Sequence, residues 1–125
     1  MIVLAPISVG ELIDKITILK IKSNLIKDAD KLFNIEKELQ SLEELKDELN
    51  LDLDIVDSLQ SKLYGVNLEL WHIENYKREC EKNQSFDNNF IEYARQVYLK
   101  NDLRASLKKQ INELVGSTIV EEKSY

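Results

Sequence analysis

Three groups of residues in this chain combine types and spacings that could do chemistry. The first lies near the N-terminus. On a helical wheel Leu12, Ile16, Leu19 and Ile26 form one apolar arc and Ile18, Ile21 and Leu25 another. Glu11, Lys15 and Lys22 fall in the gap between the arcs, and Asp14 sits beside Ile21. A helix that is apolar nearly all round belongs at the centre of a fold. Charges on it must be paired or face a cavity, because an unpaired buried charge is very costly. Two readings stay open. Glu11 and Lys15 could pair at i,i+4, with the lysine stems lying along the rim of the core. Alternatively, this helix lines a polar pocket.

The second group is Asn67, Trp71, Glu74 and Arg78, which follow one another at steps of four, three and four residues and so share one helix face. Such a strip could stack a ring on Trp71 and orient it with the polar groups. It could equally be a tryptophan anchoring a bundle beside a Glu74–Arg78 surface pair. The third group holds Arg95, Tyr98, Asn101, Asp102, Arg104, Lys108 and Asn112. Asn101, Arg104, Lys108 and Asn112 run beside an expected apolar face of Leu99, Leu103, Leu107 and Ile111. A strip of this kind is commonly the solvated side of a helix. Yet Ala105 within it permits close approach, and Arg with Lys suits a phosphate or carboxylate.

Several chemistries are disfavoured. His72 is the only histidine and Cys80 the only cysteine, so a histidine-rich zinc site is excluded. A Cys–His nucleophile pair is improbable, since the two residues are two turns apart, about 12 Å along a helix axis. Nucleotide pyrophosphohydrolases that work with metal ions on helices carry an EExxE motif followed by a separate ExxD. Here Glu44 to Asp47 overlaps the Glu43-Glu44 pair, and Glu11 to Asp14 precedes it, so order and residues both depart from that pattern. There is no P-loop, no GxGxxG and no GxSxG. The sequence leaves any cofactor unspecified.

The elements that must hold these groups read as helices. Ser8 and Glu11 fit a capping box, with the serine side chain accepting from the Glu11 amide and Glu11 reaching back to the Ser8 amide. A first helix is expected from Val9 to about Lys27. Asp28 to Asp30 caps a second, whose narrow seam is Leu32, Ile35, Leu39, Leu42, Leu45 and Leu49. Asp52 or Asp54 opens a third, with Ile55, Leu59, Leu63, Val66, Leu70 and Ile73 carrying it to about Lys82. Gly65 inside this run costs up to ~1 kcal/mol against Ala, and close packing is the expected reason. A fourth covers about Asp87 to Val115, with a break conceivable at Asn101-Asp102 and a stop at Gly116. Ile2-Val3-Leu4 and Thr118-Ile119-Val120 raise the option of a short two-stranded ribbon joining the termini.

The expectation is therefore all-α: an antiparallel helical bundle of about four helices in a single domain, residues 1–125. The first helix would be central, and the second would form a hairpin with the start of the third, its seam open to a dimer interface. Of the 125 residues 43% are hydrophobic and 32% charged, with three Gly and one Pro, which fits helices better than many short strands. A net charge of −6 argues against binding to nucleic acid or to an anionic membrane. No apolar run approaches the ~20 residues of a membrane span. One cysteine and no signal-peptide pattern make the cytoplasm the simplest compartment.

The opening Pro6-Ile-Ser-Val-Gly-Glu-Leu-Ile-Asp-Lys-Ile-Thr-Ile-Leu19, the middle Asn67-x-x-Leu-Trp71-x-Ile-Glu74 and the end carry a resemblance. That end runs from Asn101-Asp-x-Arg104 through Lys108 and Ile111-Asn112 to Gly116-Ser-x-Ile-Val-Glu-Glu-Lys-Ser-Tyr125. Together they resemble, over essentially the whole chain, a family of small bacterial and phage proteins to which no activity is assigned. The middle segment is also similar to part of a second uncharacterised family often encoded near glycosyltransferases, which implies surface-polysaccharide biology by association. The resemblance favours the polar residues inside the matched motifs and implies a docked Glu121–Tyr125 tail in place of a frayed one.

Two functions of different class follow. One is a non-catalytic binding or accessory module, with a homo-oligomer, a protein partner or a small anionic ligand as options. The other is an enzyme on a phosphorylated or sugar-nucleotide substrate, with Lys15, Arg104 and Lys108 holding the anion and Glu11, Asp14 or Glu74 serving as acid/base or metal ligands. Absence of a nucleophile–base pair favours the first. Convergence of Glu11, Asp14, Lys15, Trp71, Glu74, Arg104 and Lys108 on one concave pocket would favour a ligand site; scattering would make them structural.

Overall fold

The computed structural model describes residues 1–124. It contains four helices: α1 (Val9–Leu25), α2 (Ala29–Glu48), α3 (Leu53–Asn83) and α4 (Asn88–Val115). No strand is present among the described residues, so the terminal ribbon does not form. Ile2, Val3 and Leu4 are instead exposed, and the chain after Gly116 runs back over α4 without pairing. No described helix is long and apolar enough to cross a membrane.

Side-chain caps fix three of the helix starts, whereas Asp52 precedes α3 without a capping hydrogen bond. Ser8 accepts from the Glu11 amide at 3.0 Å, Asp28 from Lys31 at 3.0 Å and Asp87 from Phe90 at 3.1 Å. The second half of the expected capping box is not made, because the Glu11 carboxylate turns outward to a lysine of α4. Asn101-Asp102 causes no break, and α4 continues to the left-handed Gly116 (φ 66°).

α1 is the central helix and touches the other three. Its partners show the directions. Ser23 meets Glu36 and Lys20 meets Glu43, so α1 and α2 are antiparallel. Gly10 meets Asn112 and Asp14 meets Arg104, so α1 and α4 are antiparallel as well. Tyr76 stacks near Tyr93 and Glu69 pairs with Lys100, giving the same relation for α3 and α4. The core joins Ile13 of α1, Val56, Leu63 and Val66 of α3, and Leu107 and Ile111 of α4. Thus α1, α3 and α4 form the body.

Two expectations fail here for physical reasons. α2 does not form a hairpin with α3; it lies against α1 and reaches α3 through the long side chain of Lys46, which bonds Gln60 at 2.8 Å and Asp57 at 3.2 Å. Its Leu seam is only half buried, and Phe33 is 70% exposed. On α4, Leu107 and Ile111 are buried as expected, but Leu99 and Leu103 are exposed. The polar strip containing Arg104 turns inward instead, because α1 presents carboxylates to receive it.

Candidate functional site

Where α1, α3 and α4 meet, a carboxylate is enclosed. Asp14 is 1% exposed. Arg104 reaches it from α4 with two nitrogens, Nε to Oδ1 at 2.9 Å and Nη2 to Oδ2 at 2.5 Å. Asn67 of α3 donates to the same Oδ1 at 2.9 Å and to the Thr17 hydroxyl at 2.8 Å. Thr17 in turn donates to the Asp14 carbonyl at 2.7 Å. Each partner is there for a reason: a buried carboxylate needs a paired cation and donors on both oxygens. The two-pronged guanidinium meets that need better than an ammonium would.

One turn away, Lys108 gathers a second set. Its ammonium donates to Glu11 at 2.6 Å and to Glu121 of the C-terminal tail at 3.2 Å, and lies 4.0 Å from Asp14. Burial opposes the Lys108 charge, but the Glu11 hydrogen bond and the field of Asp14 outweigh it, leaving its pKa above the ordinary lysine value. Burial likewise pushes Glu11 up, and the hydrogen bond and positive charge of Lys108 outweigh that, so its pKa lies below the ordinary glutamate value. Hydrogen bonding to Asp14 raises Arg104 further, against burial.

The backbone completes the junction. Asn112 accepts from the Gly10 amide at 2.6 Å, and a Cβ built on Gly10 would stand 2.5 Å from the Lys108 carbonyl oxygen. Ser117 accepts from the Val9 amide at 3.2 Å and donates to its own tail at Ile119, 2.8 Å away. These contacts seat the N-terminus of α1 on the C-terminal half of α4, with the tail across the seam.

Two clefts open beside this junction. One, about 370 Å³, lies over α4 and under the tail, with Asn101, Arg104, Lys108 and Lys109 on its floor and Glu121 and Lys123 on its outer wall. The other, about 360 Å³, is a more apolar groove between α1 and α3, lined by Ile18, Ile21, Leu70, Trp71 and Glu74, with Arg104 at its edge. Arg104 borders both.

Of the expected residues, Glu11, Asp14, Asn67, Arg104 and Lys108 meet in one network, and Asn101 lies in the adjoining cleft. Trp71 and Glu74 line the second groove, where Glu74 pairs with Lys77 at 3.6 Å and not with Arg78. Lys15 is exposed and joins neither cleft among the described residues, so the expected Glu11–Lys15 pair gives way to Glu11–Lys108. Thr17 and Ser117 were not among the expected participants: Thr17 hides among β-branched neighbours. The Glu121–Tyr125 tail is docked at Glu121, while Tyr125 lies outside the described residues. Among those residues no group of three His, Cys, Asp or Glu side chains is placed to hold a metal ion.

No curated protein and no solved structure matches this chain. A family model does, over residues 3–125. Its span takes in every residue of the junction, and the chain belongs to the family of unknown function DUF6165.

Proposed function

We propose that this protein is a non-catalytic binding module whose ligand is a small molecule carrying a phosphate or carboxylate, held in the cleft over α4. The observation that carries the reading is the floor of that cleft. Arg104 and Lys108 rise from successive turns of one helix with Lys109 beside them, and the first two are locked in place from beneath by α1. Preorganised cations of this kind bind an anion without first losing side-chain freedom.

The same network argues against the enzyme alternative. Both oxygens of Asp14 are engaged by Arg104, so it is no base awaiting a proton. Glu11 is held as a carboxylate by Lys108 and has no proton to give near neutrality. The setting we propose is the cytoplasm of a bacterium or its phage, in surface-polysaccharide biosynthesis, where sugar phosphates and nucleotide sugars are the anions at hand. That setting rests on the likeness of the Asn67–Glu74 segment described above. Self-association through the half-exposed seam of α2 belongs to the same proposal, and light scattering of the purified protein tests it.

Thermal unfolding against nucleotides, nucleotide sugars, sugar phosphates and sugar carboxylates such as glucuronate tests the binding reading. A ligand at ~100 times its dissociation constant adds about 2.7 kcal/mol, a shift of several degrees for a domain of this size. The expected hit is lost in Lys109→Ala, an exposed position that leaves the buried network whole. A flat panel with well-folded protein overturns the reading.

A further inference from the structure

Building on that reading, we infer that the cleft accepts one negative charge, a carboxylate or a phosphodiester in preference to a phosphomonoester, at the seat now held by Glu121, and that the tail leaves when it enters. Lys108 faces three carboxylates, and they are not equivalent. Glu11 and Asp14 stand on α1, beneath the floor, and belong to the packing of the fold. Glu121 comes from above, on the tail, with its side chain 43% exposed. Its geometry is that of a ligand: an acid group laid into a cationic cleft from the solvent side.

The tail is lightly held. Ser117 fixes its root through Val9. Beyond Ser117, among the described residues, the contact between Glu121 and Lys108 is the single hydrogen bond or ion pair tying the tail to the helices. Ion pairs with a solvent-facing partner are weak, so a competing anion can displace this one.

Charge balance then selects the occupant. Lifting the tail removes Glu121, Glu122 and Lys123 together from the cleft wall. What remains is Arg104, Lys108 and Lys109 against Asp14 and Glu11, three cations to two carboxylates. One net positive charge faces the ligand. A monoanion neutralises it. A phosphomonoester, whose second pKa is about 6, arrives largely as a dianion near neutral pH and leaves an excess negative charge beside the buried Asp14 and the part-buried Glu11.

The test compares three probes on one ring: glucuronate, glucose 1-phosphate and neutral methyl glucoside, each titrated into ¹⁵N-labelled protein at pH 7.5 and followed by NMR. Glucuronate is expected to bind about tenfold more tightly than glucose 1-phosphate, with no binding of the neutral glycoside. Amide signals of Thr118–Lys123 should move toward free-chain values as glucuronate binds. Glu121→Gln, an exposed change that leaves the fold intact, should tighten glucuronate binding about three- to tenfold by removing the internal competitor. Binding of glucose 1-phosphate that equals or exceeds that of glucuronate, unmoved tail signals, or no gain in Glu121→Gln overturns the inference. If such binding is still lost in Lys109→Ala, the anion-binding reading survives it. Absence of binding by either anion to either protein overturns both.

Discussion

Asp14 shows what a single residue commits the rest of the chain to. A carboxylate on an apolar helix was legible as a problem requiring a partner, and the sequence rule at hand offered only local solutions such as Lys15. The partner is Arg104, ninety positions away, with Asn67 completing the shell. No spacing rule reaches that far. Pairing across the fold wins because Lys15 faces water, where an ion pair gains little, whereas Arg104 can be enclosed with both prongs on the acid. The consequence is asymmetric. Asp14→Ala leaves a half-buried guanidinium and the Asn67 donor unanswered and should destabilise by about 3–5 kcal/mol. Replacing both members at once, Asp14→Leu with Arg104→Met, removes the uncompensated charge and should recover part of that loss. Urea denaturation midpoints decide it. A loss under about 1 kcal/mol in Asp14→Ala would mean that this pair does not tie α1 to α4.

At the scale of the helices, the sequence was a better guide to where elements lie than to how they meet. Helical periods and caps gave four helices with ends displaced by only a residue or two, since those signals are local. Which faces meet is not local. The four leucine-type positions Leu99, Leu103, Leu107 and Ile111 read as one face, and α4 buries only the last two because its inward side carries Arg104 and Lys108. Glycine makes the same point. Gly65 looked like the site of a close approach, yet nothing lies within 4 Å of a Cβ built there. The close approach is at Gly10, where a Cβ would meet the Lys108 carbonyl at 2.5 Å. The two substitutions to alanine should therefore differ in sign. Gly65→Ala should stabilise by up to about 1 kcal/mol through helix propensity alone. Gly10→Ala must push α1 off α4 and strain the bond to Asn112, for a net loss of about 2 kcal/mol despite the same propensity gain. Paired denaturation curves test both, and equal effects would show that α1 is not seated against the α4 backbone.

For the whole molecule, the network joins the first helix, the last helix and the tail through titratable groups, so the stability of the fold should carry the signature of that network in its pH dependence. The sign follows from the shifts. Glu11 has a folded pKa below its unfolded one, so the folded state binds fewer protons in the acid range. Its stabilisation is complete above the ordinary carboxylate value and is lost as pH falls through the lowered one. Lys108 has a raised folded pKa, so its stabilisation is complete below the ordinary lysine value and is lost as pH rises through the raised one. Between those limits the contribution is flat. Glu11→Gln isolates the acid side, since glutamine keeps the shape and removes the titration. The variant should be less stable than the parent near pH 7, and the gap should narrow as the pH falls below the ordinary carboxylate value and close once it passes the lowered folded value, where the parent's Glu11 is neutral as well. Urea unfolding at a series of pH values measures the gap directly. A gap that stays constant through the acid range would mean that Glu11 contributes by shape and packing, and that its charge does not hold Lys108 in place above the core. A gap that closes would establish the Glu11 charge as what holds Lys108 against the start of α1.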